Sequence, residues 1–296
     1  MLALAQAETV AHAIGSLDDG AQAELVPMRT SGDERPAGDG RAVGDKSRFV
    51  KEIEEALLRS DIDLAVHSAK DVPGTLPAGL AIVGAPPSED ARDAVIGGAS
   101  SIDELPRGAR IGTSSLRRRS QLLAIRPDLD LIELRGNVDT RLRRLTEGRY
   151  DAIVLALAGL RRLGRDAEAS GLLDVEVFVP APGQGILALE ARADDSTATE
   201  IAKRLSDESA MARLHAERAV VETLETSCHT PVGAHARSTE GGIRIDAYVG
   251  LPDGSEWIRD RVEAQHTDPV ALGTELARRM LAAGAGELLR RAAAAH

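Results

Sequence analysis

The sequence predicts an α/β fold with mostly parallel sheets and a small C-terminal α+β domain, and three observations carry this prediction. Short apolar segments alternate with segments of helical hydrophobic spacing over most of the chain before residue 225. Two segments rich in Pro, Gly and Ser, residues 85–101 and 179–185, interrupt this alternation. After about residue 225 the order changes to strands followed by a helix, which indicates the separate C-terminal domain.

The first block of the chain, up to residue 84, is predicted to contain one helix and three strands. The helix is placed at residues 48–60 because four apolar side chains recur there at helical spacing. Residues 31–47 are rich in Gly and Asp without periodicity, which predicts a loop. The four apolar positions are Phe49, Ile53, Ala56 and Leu57, and the strands are predicted at 25–30, 63–66 and 80–84.

The second block repeats a strand followed by a helix three times. Alternation at this pitch is typical of parallel sheets covered by helices. The C-terminal third adds further elements after residue 185. The predicted strands are 110–113, 129–134, 151–158, 186–190, 243–249 and 256–262. The predicted helices are 114–125, 138–148, a short one at Arg161 and Arg162, long amphipathic helices up to about 225, and one from about 269.

Composition restricts the function classes. No apolar run is long enough to span a bilayer, and the N-terminus lacks the basic region of a signal peptide. The single cysteine, Cys228, excludes an internal disulfide and a thiolate metal cluster, and no metal site is expected. Aromatic residues make up only 2% of the chain, which argues against base stacking on single-stranded nucleic acid. These features predict a cytoplasmic protein without a membrane partner.

Positive charge is concentrated in one part of an acidic chain. The formal net charge is −11, but residues 107–165 contain 14 Arg, no Lys and six acidic residues, a net of +8. The rest of the chain therefore carries −19, which would repel a nucleic acid. Because guanidinium groups bind carboxylates and phosphates bidentately, the block predicts a site for a small anion.

The chemistry-bearing residues follow the predicted strands directly. In parallel sheets, ligands bind beyond the carboxyl ends of the strands, where helix N-termini point. A single Arg at such a place is more often only a solvated helix face, whereas four strand ends with the same chemistry favour a binding site. The residues are Ser68, Lys70 and Asp71; Thr113, Ser114, Arg117 and Arg118; Arg135, Gly136 and Arg141; and Arg162.

Two residues leave alternatives open. Asp71 is a carboxylate beside cations, so it is either their counter-ion or a catalytic group that exchanges a proton or stabilises a developing cation. Cys228 lies in a predicted loop next to His229. It is either a packed, inert thiol or a nucleophile.

Six segments together resemble the porphobilinogen deaminase family, in the same order and with similar spacing over nearly the whole chain. Any one of them alone would not be specific. They are HSAKDVP at 67–73, GTSSLRR at 112–118, LRGNVDTRL at 134–142, AGLRRLG at 158–164, PGQG at 182–185 and TSCHTPVG at 226–233.

The resemblance implies a transferase of tetrapyrrole and haem biosynthesis, a hydroxymethylbilane synthase. Such an enzyme condenses four porphobilinogen molecules, each losing ammonia, into the linear tetrapyrrole hydroxymethylbilane. It implies a dipyrromethane cofactor attached to Cys228 through a thioether, and Asp71 as the catalytic carboxylate. Each pyrrole carries an acetate and a propionate, which the Arg block would complement.

The resemblance also implies roles for individual residues and a monomeric protein. The cofactor would be held by Cys228, Ser68, Lys70, Asp71, Thr113, Ser114, Arg117, Arg118, Arg135 and Gly136. The substrate would be bound by Arg117, Arg118, Arg135, Arg141, Arg162, Gln184, Phe49 and Lys46.

The family fold implied has two domains like those of periplasmic binding proteins and a small third domain. The corresponding boundaries are 1–88 with 186–205 for domain 1, 91–180 for the Arg-rich domain 2, and 208–296 for the cofactor-attachment domain 3. Two departures are expected to matter. Met1 falls after the family's first strand, so domain 1 is expected to lack that strand. The family's Gly-Gly-Lys-Gly loop reads Gly-Asp-Lys-Ser at 44–47.

A second hypothesis comes from another functional class. A non-catalytic, two-lobed binding protein for a small polycarboxylate would have the same folds and the same Arg block. It has no need for Cys228 or Asp71, so the mass of the purified protein separates the two hypotheses. An added mass of two pyrrole units supports the enzyme.

Overall fold

The computed structural model describes residues 1–17, 20–28, 46–226, 230–265 and 268–294, with only the backbone of residues 46–49. It divides into two compact units, each formed by two segments of the chain. The first unit comprises Met1–Ser88 and Ile186–Met211. The second unit comprises Glu89–Gly185 and Ala212–His296.

Helices and strands alternate through most of the described residues, and none of the helices is long and apolar enough to cross a membrane. Two single 3₁₀ turns, Ala69–Asp71 and Asp166–Glu168, accompany them. The helices are α1 (Leu2–Gly15), α2 (Lys46–Leu58), α3 (Leu116–Ile125), α4 (Val138–Thr146), α5 (Leu157–Arg162), α6 (Ser196–Leu205), α7 (Glu208–Thr223), α8 (Pro269–Ala282) and α9 (Ala285–Ala294). The strands are β1 (Ala65–Ser68), β2 (Leu80–Gly84), β3 (Asp93–Gly97), β4 (Arg110–Gly112), β5 (Asp130–Ile132), β6 (Ala152–Ala156), β7 (Gly171–Leu172), β8 (Leu187–Arg192), β9 (Val232–Thr239), β10 (Gly242–Gly250) and β11 (Trp257–Gln265).

The first unit is built on a three-stranded sheet in the order β1-β8-β2. Strand β8 runs antiparallel to both neighbours, so β1 and β2 point the same way. Its residues are buried on both faces up to Ala191 because helices cover the sheet. Arg192, at the end of β8, donates hydrogen bonds to the carbonyls of Leu57 and Ile62 and so holds the end of α2.

The larger sheet of the second unit has the order β5-β4-β6-β3-β7. Strands β5, β4 and β6 are parallel, whereas β3 runs antiparallel to both β6 and β7. Successive residues of β6 pack into different cores, with Val154 in one cluster and Ile153 in the other. The sheet is therefore buried on both faces, which explains the continuous apolar run in this strand.

The C-terminal part of the second unit is an antiparallel sheet in the order β11-β10-β9. One face packs against α8 and α9 in a core that includes Ile245, Leu276 and Met280. Ala216 and Val220 of α7 belong to the same core. This arrangement confirms the small C-terminal α+β domain.

The α/β class is confirmed, but the pairing of the strands and several elements differ from the sequence-based expectations. All five strands of the larger sheet except β3 point the same way, whereas both pairings of the first unit's sheet are antiparallel. The strand expected at 25–30 is wrong for residues 25–28, which have no regular structure, and residues 29 and 30 lie outside the described residues. Helix α1 and strands β3 and β9 were not predicted. In α1 the buried side chains of Gln6, Val10 and Ile14 recur every fourth residue, a signal the sequence did contain.

Helices α7 and α8 approach each other closely at Gly273. A Cβ atom added there would lie 2.1 Å from the carbonyl oxygen of Ala216 and 2.9 Å from the Cβ of Ala219. Gly273→Ala is therefore expected to lower the free energy of unfolding by about 1–3 kcal/mol, measured by urea denaturation. The clash outweighs the gain in helix propensity of about 1 kcal/mol that Ala normally brings over Gly.

Gly286→Ala in α9 is the matched control for this change. Its added Cβ would meet only the Leu281 side chain at 3.5 Å, an ordinary contact. The stability of this variant should equal or slightly exceed that of the wild type. Equal stability of both alanine variants would contradict the close contact between α7 and α8.

Candidate active site

Three predicted site residues of the first unit, Ser68, Lys70 and Asp71, lie at the carboxyl end of β1 and in the short turn after it. The strand ends at Ser68, and the 3₁₀ turn Ala69–Asp71 follows directly. Hydrogen bonds hold this turn in place: among them, the Ala69 N–H donates to the Ile186 carbonyl at 3.0 Å, the Val72 N–H donates to the Ala69 carbonyl at 3.2 Å, and Gln6 Nε2 donates to the Ser68 hydroxyl at 2.8 Å. Lys70 and Asp71 are both half-buried. The turn thus places a cation and a carboxylate side by side at the strand end.

Three predicted residues cannot be given side-chain surroundings. Lys46 and Phe49 lie in the first turn of α2, where only the backbone is described. Cys228 lies outside the described residues, in the segment between α7 and β9. Their roles remain predictions from the family resemblance.

In the second unit, parallel strands bring two helix N-termini to one edge of the sheet. Strand β4 leads into α3, and its neighbour β5 leads into α4. Ser115 and Asn137 cap these helices, since their side chains accept hydrogen bonds from the N–H groups of Arg118 and Thr140. Because the carboxyl ends of parallel strands lie at the same edge, the positive ends of both helix dipoles lie there too.

The residues just before these helices present donors at that edge. Thr113 is buried, and its hydroxyl accepts a hydrogen bond from the Ser115 N–H, whereas Ser114 is exposed. Gly136 is exposed and has a φ of 113°, a backbone conformation that favours glycine. Its carbonyl accepts a hydrogen bond from Arg141 Nε at 2.7 Å. Exposed N–H groups and hydroxyls in such loops suit a carboxylate ligand.

Arg117 and Arg118 are buried and share one carboxylate, that of Asp93 on β3. Arg117 Nη2 lies 2.8 Å from one oxygen of Asp93, and Arg118 Nη2 lies 2.7 Å from the other. The side chain of Asp93 is fully buried, and Arg117 and Arg118 are 3% and 6% exposed. The two guanidiniums also donate to the carbonyls of Val179 and Val154.

Burial opposes ionisation in this cluster, and the paired charges overcome it. Burial alone would raise the pKa of Asp93, but the charges of Arg117 and Arg118 outweigh it and hold the pKa at about 2. Burial lowers the pKa of Arg117, and the charge of Asp93 opposes that shift. The carboxylate is therefore ionised at neutral pH, and the three groups form a buried ion triad.

Two further predicted residues adjoin this triad through the PGQG segment. Gln184 is buried and donates to Asp93 Oδ1 at 3.0 Å and to the Ala91 carbonyl. Arg162, at the end of α5, donates to the Gly185 carbonyl at 2.7 Å. Burial lowers the pKa of Arg162, and the charge of Glu89 opposes that shift. Arg162 and Gln184 thus fix consecutive residues of this segment.

The predicted arginines differ in their exposure to solvent. Arg135 is exposed beside Glu133 at 2.6 Å, and Arg141 is half-buried, so both present charge at the surface. Arg117 and Arg118 instead have a structural partner that the sequence does not reveal, because Asp93 lies within the segment interpreted as a linker, residues 85–101. The apolar run Ala94–Ile96 after Asp93 was the available signal for a strand. Among the described residues, no three His, Cys, Asp or Glu side chains are grouped as metal ligands.

Removing the charge of Asp93 is expected to destabilise the second unit. Asp93→Asn should lower the free energy of unfolding by about 3–5 kcal/mol, because two buried guanidiniums would lose their counter-charge. Glu133→Gln, which removes the carboxylate from an exposed pair, should change it by less than about 1 kcal/mol. Urea unfolding of the three proteins at neutral pH tests this difference.

The difference in unfolding free energy between the wild type and Asp93→Asn is also expected to depend on pH. The pKa of Asp93 is about 2 in the folded protein, below its ordinary value of 3.8. Its stabilisation is therefore complete above pH 3.8 and is lost as the pH falls through about 2. The stability difference between wild type and Asp93→Asn should shrink over this range. A difference that stays constant would contradict the ion triad.

Comparisons with known proteins agree on one family over nearly the whole chain. The family model described as porphobilinogen deaminase, dipyromethane cofactor binding domain, matches residues 1–200, and that of the porphobilinogen deaminase C-terminal domain matches residues 211–282. Porphobilinogen deaminase of Trichlorobacter lovleyi is 45% identical over 97% of this chain and 92% of its own length. That of Campylobacter concisus is 43% identical over 99% of this chain and 95% of its own length.

Solved structures give only distant similarities. One is the amino acid ABC transporter substrate-binding protein AbpA from Streptococcus pneumoniae, bound to L-arginine. It is 14% identical, with a TM-score of 0.36, over 68% of this chain and 75% of its own. The two family models together cover both described units, and the relatives exceed 40% identity at nearly full length. The chain therefore belongs to the porphobilinogen deaminase family.

Proposed function

We propose that this chain is a hydroxymethylbilane synthase that condenses four porphobilinogen molecules, with loss of four ammonia molecules, into the linear tetrapyrrole hydroxymethylbilane. The observation that carries the proposal is 45% identity to a porphobilinogen deaminase over 97% of the chain. The family assignment makes the chain a transferase of porphyrin biosynthesis with a dipyrromethane cofactor. A binding protein of the same fold is not favoured, because it has no use for a cofactor-binding domain of this family.

The donor set fits a cofactor that carries several carboxylates. Two pyrroles with an acetate and a propionate each present four carboxylates, and the second unit offers N–H groups, hydroxyls and guanidiniums at one sheet edge. We infer that the cofactor is bound by Ser68, Lys70, Asp71, Thr113, Ser114, Arg117, Arg118, Arg135 and Gly136. Cys228 would hold it through a thioether. When bound, the cofactor supplies the pyrrole carbon to which the first substrate is joined.

Asp71 is proposed to be the catalytic carboxylate. Its position in a hydrogen-bonded turn places the backbone of Asp71 directly after the end of β1. There its carboxylate would accept a hydrogen bond from a pyrrole N–H and stabilise the positive charge that develops as ammonia departs. It would then take up the proton released from the carbon that forms the new bond.

The remaining site residues are proposed to bind the substrate carboxylates. Arg135 and Arg141 present their charge at the start of α4, and Arg162 lies beside the PGQG segment with Gln184. Lys46 and Phe49, in the first turn of α2, are proposed to contact the substrate from the first unit. We further propose that the enzyme acts as a cytoplasmic monomer with three domains, 1–88 with 186–205, 91–180 and 208–296.

Cys228→Ser tests the covalent attachment. The variant is expected to fold but to lack both the added mass of two pyrrole units and the release of ammonia from porphobilinogen, because a hydroxyl is a far weaker nucleophile than a thiolate. Intact-mass spectrometry and an ammonia assay measure the two effects. Ser227→Ala, a change at the neighbouring position, should retain the added mass and the activity. A Cys228→Ser variant with the added mass and normal turnover would disprove attachment at this residue.

Asp71→Asn separates catalysis from binding. We expect the variant to keep the wild-type fold and the cofactor mass but to lose about 10²–10³ in kcat, because an amide neither carries the charge nor exchanges the proton. Asp61→Asn replaces an exposed carboxylate of the same unit, paired with Arg59, and should have wild-type kcat. If Asp71→Asn also turned over at the wild-type rate, Asp71 would be only a counter-ion.

A further inference from the structure

Three titratable side chains are buried together in the first unit, outside the residues assigned so far. They are Glu54 of α2, His67 of β1 and Glu190 of β8, which we name the Glu-His-Glu cluster. Their exposed fractions are 5%, 6% and 0%. His67 Nε2 lies 2.9 Å from Glu190 Oε2.

The hydrogen bonding of this cluster is incomplete. Within the described part of the chain, His67 Nε2, both oxygens of Glu190 and Oε1 of Glu54 have no hydrogen-bond partner, although the His67–Glu190 distance is that of an ion pair. Burial and then the charge of Glu190 raise the pKa of Glu54, and His67 opposes the shift. Buried carboxylates without hydrogen bonds oppose folding. The residues next to Glu190 in β8 are apolar. A purely structural position would be filled better by another Leu or Ala.

The cluster joins the two segments that carry the first unit's predicted site residues. In the β1–β8 register Ala65 faces Glu190 and His67 faces Ala188, so His67 and Glu190 are diagonal neighbours on one face of the sheet. Helix α2 covers that face with Glu54 and carries Lys46 and Phe49 in its first turn. Asp71 follows His67 by four residues, across the 3₁₀ turn.

Strand β1 packs on both of its faces, since Ala65 and Val66 belong to two different hydrophobic cores. Among the described residues it pairs with β8 alone. Contacts at its carboxyl end include the hydrogen bonds of Ser68 and Ala69 and the close contact of His67 with Glu190. Loss of the His67–Glu190 contact would therefore loosen the strand end that leads into the turn with Asp71.

We propose that Glu190 is a positioning residue for Asp71 and acts through His67, while Glu54 extends the same cluster to α2. This inference rests on the proposed function, since Asp71 must be the catalytic carboxylate. A charge-stabilising group works only within a few tenths of an ångström of its proper place, and about 1 Å of misplacement reduces a rate by about 10²-fold. The cluster thus affects the rate of the chemical step and not the binding of the substrate carboxylates.

The test is a double-mutant cycle in the cofactor-loaded full-length enzyme. Glu190→Gln and His67→Gln should each lower kcat at least about ten-fold, with KM for porphobilinogen unchanged and the cofactor mass retained. Because one residue acts through the other, the double variant should lose no more than the worse single variant. Glu54→Gln should lower kcat as well, whereas Glu55→Gln, at the exposed neighbouring position of α2, should have wild-type kcat.

Three results would overturn the proposal. Gln variants that turn over like the wild type but unfold at lower temperature would make the cluster merely structural. Losses that multiply in the double variant would show that Glu190 does not act through His67. If the variants at residues 67 and 190 do not fold, the remaining test is the Glu54→Gln variant. A kcat equal to that of Glu55→Gln would overturn the proposal. A wild type that releases no ammonia from porphobilinogen would instead refute the proposed function, so the two failures are distinguishable.

Discussion

Asp93 on β3 holds the side chains of Arg117 and Arg118, and the arrangement of the second unit around its larger sheet depends on this contact. The two guanidiniums extend from the start of α3 and also bind the carbonyls of β6 and of the segment before residue 180. Gln184 reaches the same carboxylate. One ionised group therefore joins a helix, two strands and the PGQG segment, and the low pKa of Asp93 measures how strongly the paired charges overcome burial.

The parallel part of the sheet determines where the charge of the Arg block is used. Strands β4 and β5 end at the same edge, so the capped starts of α3 and α4 meet there with Ser114, Gly136 and the exposed Arg135. Sequence alone places these residues correctly after their strands, because hydroxyl, Gly and Arg residues interrupt apolar runs at each strand end. The same reasoning could not predict which of the arginines are exposed and which are buried. Accessibility depends on the partner, and Asp93 comes from a strand that is distant in sequence from Arg117.

The features that sequence reasoning missed have physical causes. Strand β3 lies within residues 85–101, which are rich in Pro, Gly and Ser and were interpreted as a linker. Strand β9 contains Gly233, Ala234 and Ala236, whose small side chains give a weak apolar pattern. The antiparallel direction of β8 depends on which strands it pairs with, and no local pattern encodes that partner. The sequence also contains His67 within a recognisable motif, but its contact with Glu190 depends on the register of β1 and β8.

Each unit therefore contains a buried carboxylate close to residues that are proposed to act on the substrate. In the second unit Asp93 satisfies two guanidiniums and accepts from Gln184, so its charge is well compensated. In the first unit Glu190 has one imidazole contact and no hydrogen bond among the described residues, so its charge is poorly compensated. Removing one partner of a compensated buried ion destabilises a fold, whereas buried ionisable groups without full compensation oppose folding and are concentrated at functional sites. Because of this contrast, we assign Arg117 and Arg118 a stabilising role in addition to their proposed binding role. Glu190 is assigned the positioning of Asp71.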